Sequence, residues 1–198
     1  MTFKILNTKI HISFIFAALI CFMLATDRTG YLIPCMIAII LHELGHLFAM
    51  WLFECTPREI KLIPTSIEII RGFSVKSYGE TIISLMGPIV NLFLSLIFYI
   101  NYLLYEKNSF IVFSLLNLII GLFNLLPVKG LDGGTILFNI AAQKRNLETA
   151  ARLLSIITLI FGFIILTFAF FLLFNGSFNP SIFIIAIYLL ITALIKYS

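Results

Sequence analysis

LIPCMIAIILHELGHLFAMWLF, residues 32–53, decides how this chain is read. Apart from His42, Glu43 and His46 the run is apolar or small. A helix rises about 1.5 Å per residue, so a run of this length matches the roughly 30 Å hydrocarbon core of a bilayer. Charge in hydrocarbon is costly, which makes an ionisable cluster inside such a run a functional hypothesis by default.

Working outward, the composition agrees. Of 198 residues, 61% are hydrophobic, 15% aromatic and only 11% charged, whereas a soluble domain carries about 25% charged residues. That excludes a soluble globular protein, and disorder, which needs low hydrophobicity. Three cysteines, Cys21, Cys35 and Cys55, with no C-x-x-C pair, exclude a disulfide scaffold and read as buried small residues. Six apolar blocks stand out, at 10–25, 32–53, 82–105, 110–126, 153–174 and 181–195; the first and last are short for a span. Lys4 and Lys9 precede the first block as in a signal peptide, but residues 23–27 offer no small-x-small cleavage site, so it reads as a retained helix. The expected fold is an all-α polytopic membrane protein of about six transmembrane helices. No interval between blocks suffices for an independent soluble domain. Residues 1–198 therefore read as one membrane-embedded domain, with a catalytic core at about 10–145 and two C-terminal helices at about 150–197.

With six spans and the N-terminus in the cytoplasm, eleven of the thirteen Lys and Arg fall on cytoplasmic segments, leaving Arg28 and Lys107 outside. The bias places both termini inside. Basic residues scattered over short loops are a topology signal, and nucleic acid is not an implied partner.

His42-Glu43-Leu44-Gly45-His46 has a mechanical meaning. Positions i and i+4 share one helix face, so the two imidazoles converge on one point. Two imidazoles at this spacing suit Zn²⁺, and Glu43 stands close enough to take a proton from metal-activated water. The alternative is a pair of core histidines with a buried Glu, but three desolvated polar groups on one turn need a common partner. A catalytic zinc takes three protein ligands and keeps one position open. His11 lies near the cytoplasmic edge, and Asp132 is the better candidate. It follows Asn124-Leu125-Leu126-Pro127-Val128-Lys129-Gly130-Leu131 and precedes Gly133-Gly134. Pro127 ends the helix. Irregular backbone at membrane depth is tolerated where protein buries it or it lines a cavity. The stretch is expected to fold back and aim Asp132 at the metal; the alternative is a plain cytoplasmic turn, with Asp-Gly as ordinary turn chemistry.

H-E-L-G-H in an early span with N-L-L-P-V-K-G-L-D-G-G in a later one resembles the site-2 protease family of intramembrane zinc metalloproteases. Gly87-Pro88…Asn91 matches the family's G-P-x-x-N element. The resemblance covers roughly residues 10–145 and implies His42, His46 and Asp132 as Zn²⁺ ligands, Glu43 as catalytic base and Asn124 as a substrate-positioning residue. It also implies a membrane-protein substrate, a lipid bilayer around the enzyme and a bacterial cytoplasmic membrane. Membrane regulatory partners follow too, because no PDZ-like or nucleotide-sensing module is expected here. The compact form resembles the bacterial sporulation proteases that process a sigma-factor precursor. Gly130 departs from the family, which often has proline there, and is expected to loosen the loop.

Counting along residues 32–53 puts the metal about 10 Å from the cytoplasmic end of the helix and about 15 Å from the other. Asn91, Asn117 and Asn124 are candidates for lining a water path to it; interhelical hydrogen bonding is the alternative for Asn91 and Asn117. Residues 59–71 alternate apolar and polar around Pro64-Thr65-Ser66, which predicts a small β-hairpin between the second and third spans at the cytoplasmic interface. Its free edge would pair with an unwound substrate. Residues 143–152 read as a polar connector. The rival functions are a membrane zinc transporter, which would need acids or histidines on several spans, and a catalytically silent substrate-binding homologue, against which an intact Glu43 speaks.

Overall fold

The computed structural model describes residues 2–5, 8–55, 57–63, 66–71, 77–176 and 179–195. Its elements are β1 (Thr2–Ile5), β2 (Thr8–Ile12), α1 (Phe14–Thr26), α2 (Leu32–Leu52), β3 (Pro57–Ile63), β4 (Ser66–Arg71), α3 (Ser77–Tyr105), α4 (Asn108–Asn124), α5 (Asp132–Lys144), α6 (Leu147–Phe174) and α7 (Pro180–Leu194). They form two compact units, Met1–Phe123 and Asn124–Ser198.

The apolar blocks became helices, mostly inside-out by the standards of a soluble protein. α6 buries the small stripe Ala150, Thr158 and Gly162 while Phe163, Phe171 and Phe174 are exposed. Such a surface belongs in an apolar solvent. Among the described residues, α2, α3 and α6 are long and apolar enough to cross a membrane. α1, α4 and α7 are apolar but have 13, 17 and 15 residues, about 20–26 Å of helix. Length and composition therefore support three spans outright.

The expectation of an all-α chain with one hairpin needs correction. The hairpin is there, β3 against β4, with Lys61 opposite Glu68 and Ile63 opposite Ser66; Pro64 and Thr65 of its turn lie outside the described residues. It is half of a four-stranded sheet, ordered β1-β2-β3-β4. β2 pairs in parallel with β3, His11 opposite Lys61, and β1 folds back on β2. Thr8, Ile10 and Ile12 alternate with Lys9 and His11, a period of two that suits a strand better than a helix. Part of the first apolar block is thus β2, and α1 begins where the Ser13 N–H donates to the Leu62 carbonyl at 3.0 Å.

Between α1 and α2, Asp27 organises the turn. Its Oδ1 accepts from the Thr29 hydroxyl (2.6 Å), the Thr29 N–H (2.8 Å) and the Gly30 N–H (3.2 Å), and its Oδ2 from the Leu32 N–H (3.2 Å). The Thr29 hydroxyl, then these backbone donors, hold the carboxyl below the usual carboxylate range. A carboxyl depressed by folding stabilises above its unfolded pKa, and the contribution is lost as pH falls through its folded value. Asp27→Ala should therefore lower Tm at neutral pH, and the gap from wild type should close as the pH is taken down through that range. A gap unchanged in acid would show that the carboxylate contributes nothing to the turn.

α2 packs on α3 along Ala38, His42, Gly45, His46 and Ala49, all buried. Gly45 makes the approach possible, since a Cβ there would lie 2.9 Å from the Met86 carbonyl oxygen and 3.1 Å from Gly87 Cα. Past α2, Glu54 takes a positive φ of 55° and the Cys55 N–H returns to the Met50 carbonyl at 3.0 Å. That closes the helix as a Schellman-type cap. Cys55 is buried with Ala49, Met50 and Ile83. Cys21 is exposed and Cys35 half-buried, so only one of the three cysteines is the core residue expected.

In the second unit, residues 132–144 form a helix that no apolar block predicts, and the connector expected at 143–152 is divided between its end and the start of α6. Gln143 and Lys144 end α5, and Asn146 caps α6 by accepting from the Thr149 N–H at 2.8 Å. α6 and α7 pack closely at Gly162, where a Cβ would meet Leu190 at 2.9 Å.

Candidate metal centre

His42 and His46 lie one turn apart on α2, both buried, with ring centroids 4.7 Å apart and Nε2 atoms 3.1 Å apart. Which nitrogens carry protons follows from a relay that can be read from its far end. The Asn117 Nδ2 donates to the Phe113 carbonyl at 2.8 Å. A carbonyl only accepts, so the Asn117 Oδ1 must face the other way, toward Asn91. The Asn91 Nδ2 donates to that oxygen at 2.8 Å and to the Ala38 carbonyl at 3.1 Å. The Asn91 Oδ1 is thereby turned to His42 Nδ1, at 2.6 Å, and Nδ1 must be the donor. His46 needs no relay, because its Nδ1 lies 2.8 Å from the Ile83 carbonyl, which can only accept. Both rings therefore donate through Nδ1, which turns both Nε2 lone pairs forward. The two Nε2 atoms face the same point, as two ligands of one ion would. An acceptor on the second ring nitrogen of each histidine is what metal-binding imidazoles have.

α3 supplies the acceptors and the room. Gly87 and Asn91, four apart, share the face that meets α2. A Cβ on Gly87 would lie 2.4 Å from His46 Nε2 and 2.8 Å from His42 Nε2, so the glycine keeps open the ground in front of both nitrogens. Pro88 lies inside α3 and has no N–H for the carbonyl four residues back, that of Ser84. The donor set fits a zinc-like ion: two imidazoles, each oriented from behind, in a buried site. Glu43, next to His42 on α2, is half-buried.

Asn91 and Asn117 do not line a water path. Both are 0% exposed, and their amides are spent on the relay and on the Ala38 and Phe113 carbonyls. The i, i+4 spacing of Gly87 and Asn91 was the available signal for this role.

Asp132 and Asn124 belong to the second unit. Asn124 ends α4, half-buried. Asp132 is the first residue of α5 and is half-buried. The loop before it is tightly made. The Val128 N–H donates to the Leu126 carbonyl (2.8 Å) and the Leu131 N–H to the Val128 carbonyl (3.1 Å). Gly130, third in that turn, has φ +91°, which glycine adopts easily and proline cannot. The expectation that Gly130 loosens the loop is therefore wrong: it permits a different, hydrogen-bonded turn. Gly133 and Gly134 let the loop lie on α5, since Cβ atoms there would come within 2.1 Å of the Leu125 carbonyl oxygen and 2.0 Å of that of Val128.

Comparison with known proteins agrees with this chemistry. Residues 106–169 match the model of peptidase family M50. A zinc metalloprotease of Methanocaldococcus jannaschii is 30% identical over 138 residues, covering 64% of this chain and 40% of that protein. Stage IV sporulation protein FB of Bacillus subtilis is 26% identical over 152 residues, 73% of this chain and 52% of that one. The chain thus spans about half the length, or less, of the curated relatives it matches. Among solved structures, a site-2 protease from M. jannaschii superposes with a TM-score of 0.72 at 22% identity, covering 100% of this chain and 97% of the other.

Proposed function

We propose that this chain, which belongs to the site-2 proteases of peptidase family M50, is a zinc metalloendopeptidase that hydrolyses membrane-protein substrates within the bilayer. The observation that carries the reading is the relay from the Phe113 carbonyl to His42, with its counterpart from Ile83 to His46, which leaves both Nε2 atoms as ligands for one ion. His42, His46 and Asp132 would hold the metal, which when bound polarises a carbonyl and acidifies water. Glu43 then takes a proton from the attacking water and passes it to the departing amide nitrogen. Asn124, at the end of α4, holds the substrate backbone.

All six apolar helices α1, α2, α3, α4, α6 and α7 span the membrane in this reading, with both termini in the cytoplasm of a bacterial cell. A helical substrate buries its carbonyls in its own hydrogen bonds and must unwind before attack. β4 stands at one edge of the sheet, and its outer edge would take up the unwound segment as an added strand. The likeness to a sporulation protein favours a membrane-bound precursor of a transcription regulator as substrate, under the control of membrane partners.

The test is reconstitution of the full chain in vesicles with a single-span substrate. Cleavage should map inside the span, disappear when the metal is stripped by a chelator, and return on adding Zn²⁺. Cleavage that persists after metal removal, or that maps only to the substrate's soluble part, would refute the proposal.

A further inference from the structure

The backbone of the loop that leads to Asp132 is fastened from outside the loop. The Lys129 N–H donates to the Thr158 hydroxyl oxygen of α6 at 2.9 Å. Thr158 is 0% exposed, and its hydroxyl proton is committed to the Leu154 carbonyl at 2.8 Å, so only a lone pair can face the loop. A hydroxyl that bonds back along its own helix normally needs nothing more; here the orientation it acquires makes it a directional acceptor. The surroundings match the task. Ala150, Leu154, Thr158 and Gly162 form a buried i, i+4 stripe on α6, and Val128, beside the fastened amide, is 1% exposed. The side chain of Lys129 makes a second tie, its Nζ donating to the Ile195 carbonyl at the end of α7 at 2.5 Å.

We infer that Thr158 is a positioning residue for the Asp132 carboxylate, and that α6 contributes to the reaction by fixing the loop from which α5 starts. The inference rests on the reading of Asp132 as third metal ligand. Two residues separate the fastened amide at 129 from Asp132, and the Val128–Leu131 turn leaves that stretch little freedom. Movement of the amide is passed on to the carboxylate.

The test uses full-length protein in detergent micelles, titrated with Zn²⁺ against a competing chelator, alongside hydrogen exchange of a peptide covering residues 127–131. Thr158→Val keeps the shape and removes the acceptor. It should weaken zinc binding by about 10-fold or more, the loss typical of ligand-orienting partners, and speed exchange in the loop. Thr158→Ser, which restores the acceptor, should bind within about 3-fold of wild type. Thr158→Ala serves if the valine variant does not fold. Leu154→Ala, a packing loss one turn away, should lower Tm and leave the titration in place. Thr158→Val with wild-type zinc affinity, or Leu154→Ala weakening zinc as much as Thr158→Val, would overturn the inference. Asp132→Asn separates the two levels. If it weakens zinc and Thr158→Val does not, positioning by Thr158 is wrong while the ligand stands; if Asp132→Asn changes nothing, the ligand reading itself falls.

Discussion

Glu43→Gln is expected to leave zinc bound and to cut cleavage by at least about 10²-fold, the lower end of what a positioned general base contributes. The substitution keeps the size and polarity of a half-buried side chain on α2, so the fold and the neighbouring imidazoles are undisturbed. What changes is proton affinity: an amide does not accept a proton at neutral pH, and attacking water then has nowhere to lose one. The imidazoles cannot substitute, because their Nδ1 atoms donate to Asn91 and the Ile83 carbonyl and their Nε2 lone pairs would be taken up by the metal. Metal content and single-turnover cleavage measured on the same preparation decide the point. Loss of zinc together with activity would make Glu43 a structural residue, and activity near wild type would remove it from the mechanism.

How much of this could be read from the sequence varies with the range of the forces involved. The apolar blocks predicted helices well, because hydropathy over twenty residues is a local sum. The β3–β4 hairpin was legible from alternation around a turn. β2 was not, since Thr8–Ile12 supplies five alternating residues next to a longer apolar run, and its partner β3 lies some fifty positions on. α5 was hidden by Asp132-Gly133-Gly134, residues that favour turns; they are used here because the carbonyls of Leu125 and Val128 lie where side chains would be. The histidine pair showed its ligand spacing at once. Its tautomers could not be seen, because they depend on which carbonyls of other helices lie behind each ring. Asn91 and Asn117 were noticed as polar residues in apolar helices, yet their purpose appears only when the bonds are followed in order from Phe113.

That dependence on α3 leads to the second large effect, at a residue with no side chain. Gly87→Ala is expected to weaken zinc binding by about 100-fold or more. Its Cβ would lie 2.4 Å from His46 Nε2, 2.6 Å from His46 Cε1 and 2.8 Å from His42 Nε2. Neither ring can swing aside without giving up the hydrogen bond behind it. The helices cannot simply part either, because Gly45, one residue before His46, packs against Met86 and Gly87 on the same face. Overpacking of this kind ordinarily costs about 1–3 kcal/mol of stability, so Tm falls as well, and a control is needed to separate the two. Gly121→Ala provides it. Its Cβ would come no closer than 3.2 Å to Asn91 and Leu92, contacts that crowd the relay from behind without entering the ground before the nitrogens. The expected order in a zinc titration is Gly87→Ala far weaker than Gly121→Ala, with wild type tightest. If Gly87→Ala binds zinc as well as wild type, the ion does not sit before the two Nε2 atoms, and the metal centre must be sought elsewhere.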